Sequence, residues 1–482
     1  MNLNEPSPDL LRKLAERLGP KGFTADAVDL DPWLTDWRGR VRGSAAALLS
    51  PANRDEVADI VRWAAAERVA VVPQGGNTSM VAGATPAGGA LLLSLRRMNA
   101  IRGISRQDNI ATVEAGVILS DLHRAAEAAG RRFPLSLAAK DSATIGGLIS
   151  TNAGGTQVLR FGPMRALVLG LEAVLPDGQI FEGLSALRKD NRGYDLRQLL
   201  AGAEGTLGIV TAASLRLEAA VGERIVAWVG MADADKALPL LRMLEDRVGD
   251  AIEGFELVPS VALELVLRHI ERTRDPLAGK HGCYALIEAA LPVGTPTARE
   301  TFEAALMEAI EQGLVEDASI AAHEAQAEAL WALRENISEA ERLDGISVKH
   351  DISVAVSDMP GFMESATREV ERAFAGARVI AFGHLGDGNI HFNVRSPAGQ
   401  AARPWFDANN VAVNRMVHDL VTAAGGSISA EHGIGQLKLA EFARIAGPAR
   451  LGALRAIKQA LDPLGIMNPG KLVPLASDPP AP

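Results

Sequence analysis

The segment Phe382 to Asn393 reads FGHLGDGNIHFN, an Asp-Gly pair set between alternating apolar residues. In that setting Asp-Gly is a strong local signal for a two-residue hairpin turn. A turn at Asp387 and Gly388 predicts a register that pairs Gly386 with Asn389, Leu385 with Ile390, and His384 with His391. Directly opposed side chains of an antiparallel pair have Cβ atoms about 4.5–5.5 Å apart, close enough for two imidazoles to share one metal ion. Further along the chain, SAEHGIG supplies Glu431 and His432 in a loop whose glycines permit close approach to a ligand. A histidine alone on a strand is ordinarily a hydrogen-bonded structural residue. Here two of them in paired register, joined by Glu431, make a three-ligand site with an open position, and His432 is left beside it as a base. The remaining histidines, among them His269, His281, His323, His350 and His418, have no such company and are expected to be structural.

Oxidation of an alcohol at such a site would require removal of the hydroxyl proton and transfer of hydride from its carbon. A metal held by His384, His391 and Glu431 would acidify a bound hydroxyl as it does bound water. His432 would then take the proton. No side chain accepts hydride, so a redox cofactor is needed. Arg334 and Ser338 are four apart in a predicted helix and so share one face, Lys349 begins a predicted strand, and Asn393 shares a strand face with His391.

The elements that must position these groups follow from composition and pattern. At 482 residues, with 48% hydrophobic and 22% charged residues, the chain is a globular protein too long for one ordinary core. A formal charge of −10 disfavours nonspecific binding to nucleic acid or an anionic membrane, so an anionic substrate needs a local cluster of Arg and Lys. The single cysteine, Cys283, excludes an internal disulfide and a cysteine-ligated iron–sulfur cluster. The start MNLNEPSPDLLRK lacks a secretory apolar region, and no run approaches the ~20 apolar residues of a membrane span, so a cytoplasmic protein is expected.

Residues 1–42 read as a helical lead-in. From Ala45 short strands alternate with helices: AALLS, DEVADIVRWAAAE and VAVVPQGGNTS form a strand–helix–strand unit ending in a glycine-rich loop. The texture changes near Ala220, where IVAWVGM opens a block of long Ala/Glu/Leu helices and strands. The expected domains are therefore 43–220, 221–425 and a C-terminal segment 426–474, followed by a disordered tail, 475–482. In the first block PQGGNTS, SATIGGLISTNAGGT and GAEGTLGIVT each combine glycine with Ser, Thr or Asn. Glycine lets backbone N–H groups converge on a phosphate without a Cβ in the way, so several such loops can cradle one pyrophosphate. No G-x-G-x-x-G occurs and neither Gly279 nor Gly470 completes a P-loop, which weighs against a nicotinamide dehydrogenase and a P-loop nucleotidase.

In this order, PQGGNTS, SATIGG, TNAGG, KDNRGYDL and GAEGTLGIVT resemble the FAD-binding domain of the vanillyl-alcohol oxidase/PCMH flavoprotein superfamily. LWALRENISEA, VKHDISV, GHLGDGNIH, AEHGIG and NPGKLV are similar to bacterial FAD-dependent D-2-hydroxyacid dehydrogenases, the D-2-hydroxyglutarate dehydrogenases in particular. The resemblance implies an α+β fold: a two-lobed PCMH-type FAD-binding domain, an α+β cap carrying the substrate site, and a C-terminal helical segment that returns to the flavin. It implies that Gly75, Gly76, Asn77, Thr78, Thr144, Gly146 and Gly147 cradle the pyrophosphate, and that Asn152, Gly155, Glu204, Gly208, Ile209 and Asn468 make other flavin contacts. Asn77 and Thr78 stand where some members carry a flavin-linking histidine, so noncovalent FAD is expected. Leu200 and Ala203 replace the aromatic residue and serine that relatives usually place before Glu-Gly-Thr.

The same resemblance makes Arg334, Ser338, Lys349 and Asn393 substrate-binding. An Arg fork suits a carboxylate bidentately and Lys349 adds a point charge for a second, which favours 2-hydroxyglutarate or malate over lactate. The ligands admit zinc, cobalt or manganese, with zinc expected first. An electron-transfer flavoprotein or a quinone is the implied acceptor, and a homodimer is expected by base rate. Two other readings compete: a D-lactate dehydrogenase or glycolate oxidase subunit of the same superfamily, and a metallohydrolase in which Glu431 and His432 activate water and the glycine loops are only turns.

Overall fold

The computed structural model describes residues 3–187, 189–292 and 298–475, so the expected tail beyond residue 475 lies outside the described residues. The chain forms two compact units, one of Met1–Gly154, Pro163–Ala219 and Glu431–Pro482, the other of Gly155–Gly162 and Ala220–Ala430.

In the first unit, Asn53 caps the helix Arg54–Glu67 by accepting from Glu56 N at 2.9 Å, and the Glu56 carboxylate accepts in turn from Ala52 N at 2.7 Å. A cap of this kind is worth about 1 kcal/mol. The helix buries Val57, Ile60, Val61 and Ala64, spaced to form one apolar stripe, and each large side chain contributes roughly 1.5–3 kcal/mol of burial. This stripe belongs to a core that includes Leu49, Val71, Leu91 and Leu93, from the strands on either side of the helix in sequence. Those strands form a four-stranded sheet ordered Phe23–Thr24, Ala45–Leu49, Ala90–Ser94, Val71–Gln74. The flanking strands of the strand–helix–strand segment are thus not neighbours: Ala90–Ser94 lies between them, parallel to both. A second, five-stranded antiparallel sheet runs Ile101–Ser105, Ile110–Glu114, Ile209–Arg216, Val168–Val174, Ile180–Gly183. The C-terminal stretch joins the first sheet, with Val71 N donating to Ile466 O at 2.8 Å and Asn468 N to Val71 O at 2.9 Å. Lys458 fixes it further, donating to Thr206 O, Asp462 Oδ2 and Met467 O at 2.6–2.9 Å.

The second unit is built on a seven-stranded antiparallel sheet ordered Asp317–Ile320, Val221–Met231, Cys283–Pro292, Ile252–Pro259, Arg378–His384, Asn389–Arg395, Ser347–Ser353. IVAWVGM reads as an unbroken apolar run because it is buried on both faces. Trp228, Leu286, Trp331, Leu333, Ile337 and Phe382 share one core, which packs the helices Glu324–Glu335 and Ile337–Asp344 with the sheet.

Candidate functional site

The hairpin forms, in a different register from the one its Asp-Gly pair suggests. His384 pairs with Asn389 and Phe382 with His391, so the connection has four residues, Leu385 to Gly388. A two-residue turn of this type needs positive φ at both central positions, and only Gly388, at 77°, has it. Leu385 N donates instead to Phe255 O at 2.9 Å, and the Asp387 carboxylate accepts from Asn389 N at 3.0 Å. The shift is two residues, which preserves the alternation of faces. His384 and His391 therefore remain on one face as diagonal rather than opposed neighbours, with ring centroids 5.6 Å apart.

Register carries this face across the sheet. Glu256 lies opposite His384, Asp351 opposite His391, and Lys349 opposite Asn393. Glu256 is fully buried and holds two groups: His384 Nδ1 donates to its Oε1, and Arg334 Nε to its Oε2 at 2.7 Å. Burial works against its charge, yet His384 and Arg334, both directed at it, outweigh burial and bring its pKa down to about 2. Arg334 also lies over the Phe382 ring, 4.8 Å from the centroid. Beside Asn393, Glu341 Oε2 accepts from Asn393 Nδ2 at 2.7 Å and lies 3.6 Å from Lys349 Nζ. Burial pushes the Glu341 carboxyl up, against the pull of Lys349, Arg395 and Asn393. Asn389 Nδ2 donates to Asp351 Oδ1 at 2.9 Å, and His391 Nδ1 is 4.0 Å from the same oxygen.

The expectation that Arg334 and Ser338 share one helical face is not met. The helix Glu324–Glu335 stops at Asn336 and a second, Ile337–Asp344, follows it; Arg334 is buried and Ser338 exposed. Asn336 turns its side chain back to Ala332 O at 2.8 Å, a local bond that competes with helix continuation.

Donor chemistry in the second unit suits a divalent cation. With Nδ1 committed to Glu256, His384 would meet a metal through Nε2, the usual arrangement in which a carboxylate orients a ligating imidazole. Ala430 N donates to Asp351 O at 3.3 Å, and Glu431 is the next residue along the chain.

In the first unit the glycine loops pack on one another. A Cβ at Gly75 would meet Thr144 Oγ1 at 2.4 Å, and one at Gly76 would meet Ser142 O at 1.9 Å. Thr144 caps the helix Ile145–Thr151, in which Gly146 and Gly147 lie, and Asn152 ends it in the left-handed region. Among the described residues, none of the backbone N–H groups of Gly75, Gly76, Asn77 and Thr78 is spent on a loop hydrogen bond. Four consecutive idle donors with glycine at two of them fit a diphosphate. Glu204 accepts from Ile434 N and Gly435 N, both at 2.8 Å, and a Cβ at Gly433 would lie 2.6 Å from its Oε1. Burial pushes the Glu204 carboxyl up, with those two N–H groups opposing. Asn468 Nδ2 donates to Glu204 O at 2.7 Å and to Gly83 O at 3.0 Å, while its buried Oδ1 has no partner among the described residues. Gly208 and Ile209 lead into the central strand of the five-stranded sheet. Gly155 belongs to the second unit.

Glu256, Asp351, Glu341 and Lys471 were not anticipated from the sequence. Asp351 carried a usable signal, being two residues after Lys349 and so on the same strand face. Glu256 carried none that is local: it is a carboxylate inside an apolar strand, 128 positions from its histidine. Lys471 is buried and donates to Gln436 Oε1 at 3.0 Å. Burial, only partly offset by Glu204, brings its pKa down to about 8.

This chain belongs to the FAD-linked oxidase family: residues 222–472 match the C-terminal domain of FAD linked oxidases and residues 45–183 the FAD binding domain. It is an FAD-dependent oxidoreductase. It is 36% identical to the mitochondrial D-2-hydroxyglutarate dehydrogenase of Arabidopsis thaliana, over 95% of this chain and 80% of that protein. It is 36% identical to the D-2-hydroxyglutarate dehydrogenase of Stutzerimonas stutzeri, over 96% and 99% respectively. The solved structure of p-cresol methylhydroxylase with substrate bound shares the fold, with a TM-score of 0.75 at 16% identity over 97% of both chains. Among the described residues, no helix is long and apolar enough to cross a membrane.

Proposed function

We propose that the protein oxidises a D-2-hydroxy acid to the 2-oxo acid, with D-2-hydroxyglutarate the preferred substrate and D-malate the next. The observation that carries this reading is the polar strip on the sheet face of the second unit. There Lys349 and Asn393 stand on the same face as His384 and His391, and Arg334 is held against that face by Glu256, so two cations line the strip that a substrate with two carboxylates would meet. The near full-length likeness to proteins named D-2-hydroxyglutarate dehydrogenase supports the same substrate.

In this proposal Arg334 engages the C1 carboxylate with the guanidinium nitrogens it does not direct to Glu256. Lys349 meets the distal carboxylate, and Asn393, held by Glu341, together with Ser338 completes the polar lining. His384, His391 and Glu431 would hold a divalent ion, zinc by donor type. Such an ion, when bound, lowers the pKa of a coordinated hydroxyl. His432 takes the hydroxyl proton. FAD, noncovalently held on the loops of the first unit, supplies the hydride acceptor. An electron-transfer flavoprotein or quinone as final acceptor, a homodimer and a cytoplasmic location complete the proposal.

Metal removal is the direct test of this ligand set. Dialysis against a chelator is expected to abolish flavin reduction by D-2-hydroxyglutarate while the flavin absorbance stays with the protein, and zinc to restore it. Full activity in protein shown by elemental analysis to be metal-free would reject the ligand assignment.

A further inference from the structure

Residues 34–43 fold into a tight turn closed by Asp36 N to Val41 O at 2.9 Å and Gly43 N to Leu34 O at 2.8 Å. The turn is bound to the first glycine loop. Gln74 Nε2 donates to Trp33 O at 3.1 Å, Asn77 Nδ2 to Thr35 O at 2.9 Å, and Arg40 Nη2 to Met80 O at 2.6 Å. Three arginines stand here. Arg42 pairs with Asp31 at 2.5 Å, but among the described residues Arg38 and Arg40 form no salt bridge. The carboxylate within the turn, Asp36, is occupied by the N–H groups of Arg38 and Val41.

Arg38 is half-buried and Arg40, more exposed, is tied by its guanidinium to Met80 O, so the turn brings two cations to a loop whose own N–H donors are idle. Burial and the nearness of Arg40 bring the Arg38 guanidinium down to about 10, and burial lowers Arg40 as well. Asp36 opposes both shifts, and a bound anion would favour the charged forms further. A diphosphate carries the charge that two guanidiniums match, and its oxygens suit the fork geometry of Arg.

We propose that Arg38 and Arg40 supply the counter-charge for the FAD diphosphate cradled on the N–H groups of Gly75, Gly76, Asn77 and Thr78. This inference rests on membership of the FAD-binding family and is independent of which hydroxy acid is oxidised.

The test measures flavin binding, not turnover. FAD is removed reversibly from the purified holoenzyme, and the Kd values of FAD and of riboflavin, which lacks phosphate, are obtained by fluorescence quenching. Arg38→Gln and Arg40→Gln are each expected to weaken FAD ~10–100-fold, the range of a lost charge-assisted hydrogen bond. Riboflavin affinity should not change. Arg38→Lys and Arg40→Lys, which keep the charge, should recover most of the loss, and the salt dependence of FAD binding should flatten in the Gln variants. Unchanged FAD affinity in both Gln variants, equal losses for FAD and riboflavin, or a failure of Lys to rescue would each overturn the proposal. If a Gln variant does not fold, the wild-type protein decides: FAD binding that weakens no more with salt than riboflavin binding would contradict it.

Discussion

Glu256 and His384 stand directly opposite one another where the strands Ile252–Pro259 and Arg378–His384 meet, a junction of only two register pairs. The same carboxylate holds Arg334, so a single buried charge orients both the imidazole proposed for the metal and the guanidinium proposed for the substrate. Neither can shift without disturbing the other's partner.

Replacing that charge tests the coupling. Glu256→Gln is expected to lower metal affinity ~10–100-fold, the cost of losing a carboxylate behind a ligating imidazole. It should also destabilise the protein by roughly 3–5 kcal/mol, because Arg334 is left buried without its counter-charge. Chelator competition and denaturant unfolding report the two effects. Wild-type metal affinity in a folded variant would remove Glu256 from any role behind His384.

Lys349 should discriminate among substrates. Lys349→Ala is expected to reduce kcat/KM for D-2-hydroxyglutarate by ~10–100-fold, as for a lost hydrogen bond between charged groups, and to leave D-lactate almost unaffected. Steady-state kinetics with a dye acceptor measure both, and equal losses would reject contact with a second carboxylate.

His432→Ala should keep flavin and metal but slow anaerobic flavin reduction by ~10²–10⁴, the range for a missing general base. A variant that still reduces its flavin at the wild-type rate places proton removal elsewhere.

Lys471 gives the stability of the protein a pH dependence of definite sign. Its pKa is about 8 in the folded chain, against an ordinary value of 10.5. Between those values the unfolded chain binds the extra proton, so this residue's contribution to stability is fully present above pH 10.5 and is lost as pH falls through 8. Lys471→Met abolishes that dependence. Its stability advantage over wild type should therefore shrink by roughly 3 kcal/mol from below pH 8 to above pH 10.5, read from denaturant midpoints across the range. A constant difference would show that Lys471 titrates alike in both states.

Local chemistry made the hairpin and its two histidines legible, since Asp-Gly announces a turn and period-two alternation fixes the face. The register escaped because it depends on Leu385 N bonding to Phe255 O, a partner far away in sequence. The glycine loops were legible for a similar reason: Gly75 and Gly76 occupy positions where a side chain would strike Thr144 or Ser142. Glu256 was invisible, being defined by cross-strand pairing alone, and the break at Asn336 was masked by strong helix formers on both sides. Arg38 and Arg40 carry no signal in the sequence, because only the folded turn, bound to the loop Gln74 to Met80, sets them beside the glycines.

Anaerobic titration of the flavin with a panel of D and L 2-hydroxy acids, with and without added zinc, tests the central claim most directly. The account predicts rapid bleaching of the oxidised flavin band by D-2-hydroxyglutarate, slower bleaching by D-malate, little by D-lactate or any L enantiomer, and none in metal-free protein. Bleaching that is indifferent to metal, or fastest with a monocarboxylate, would contradict it.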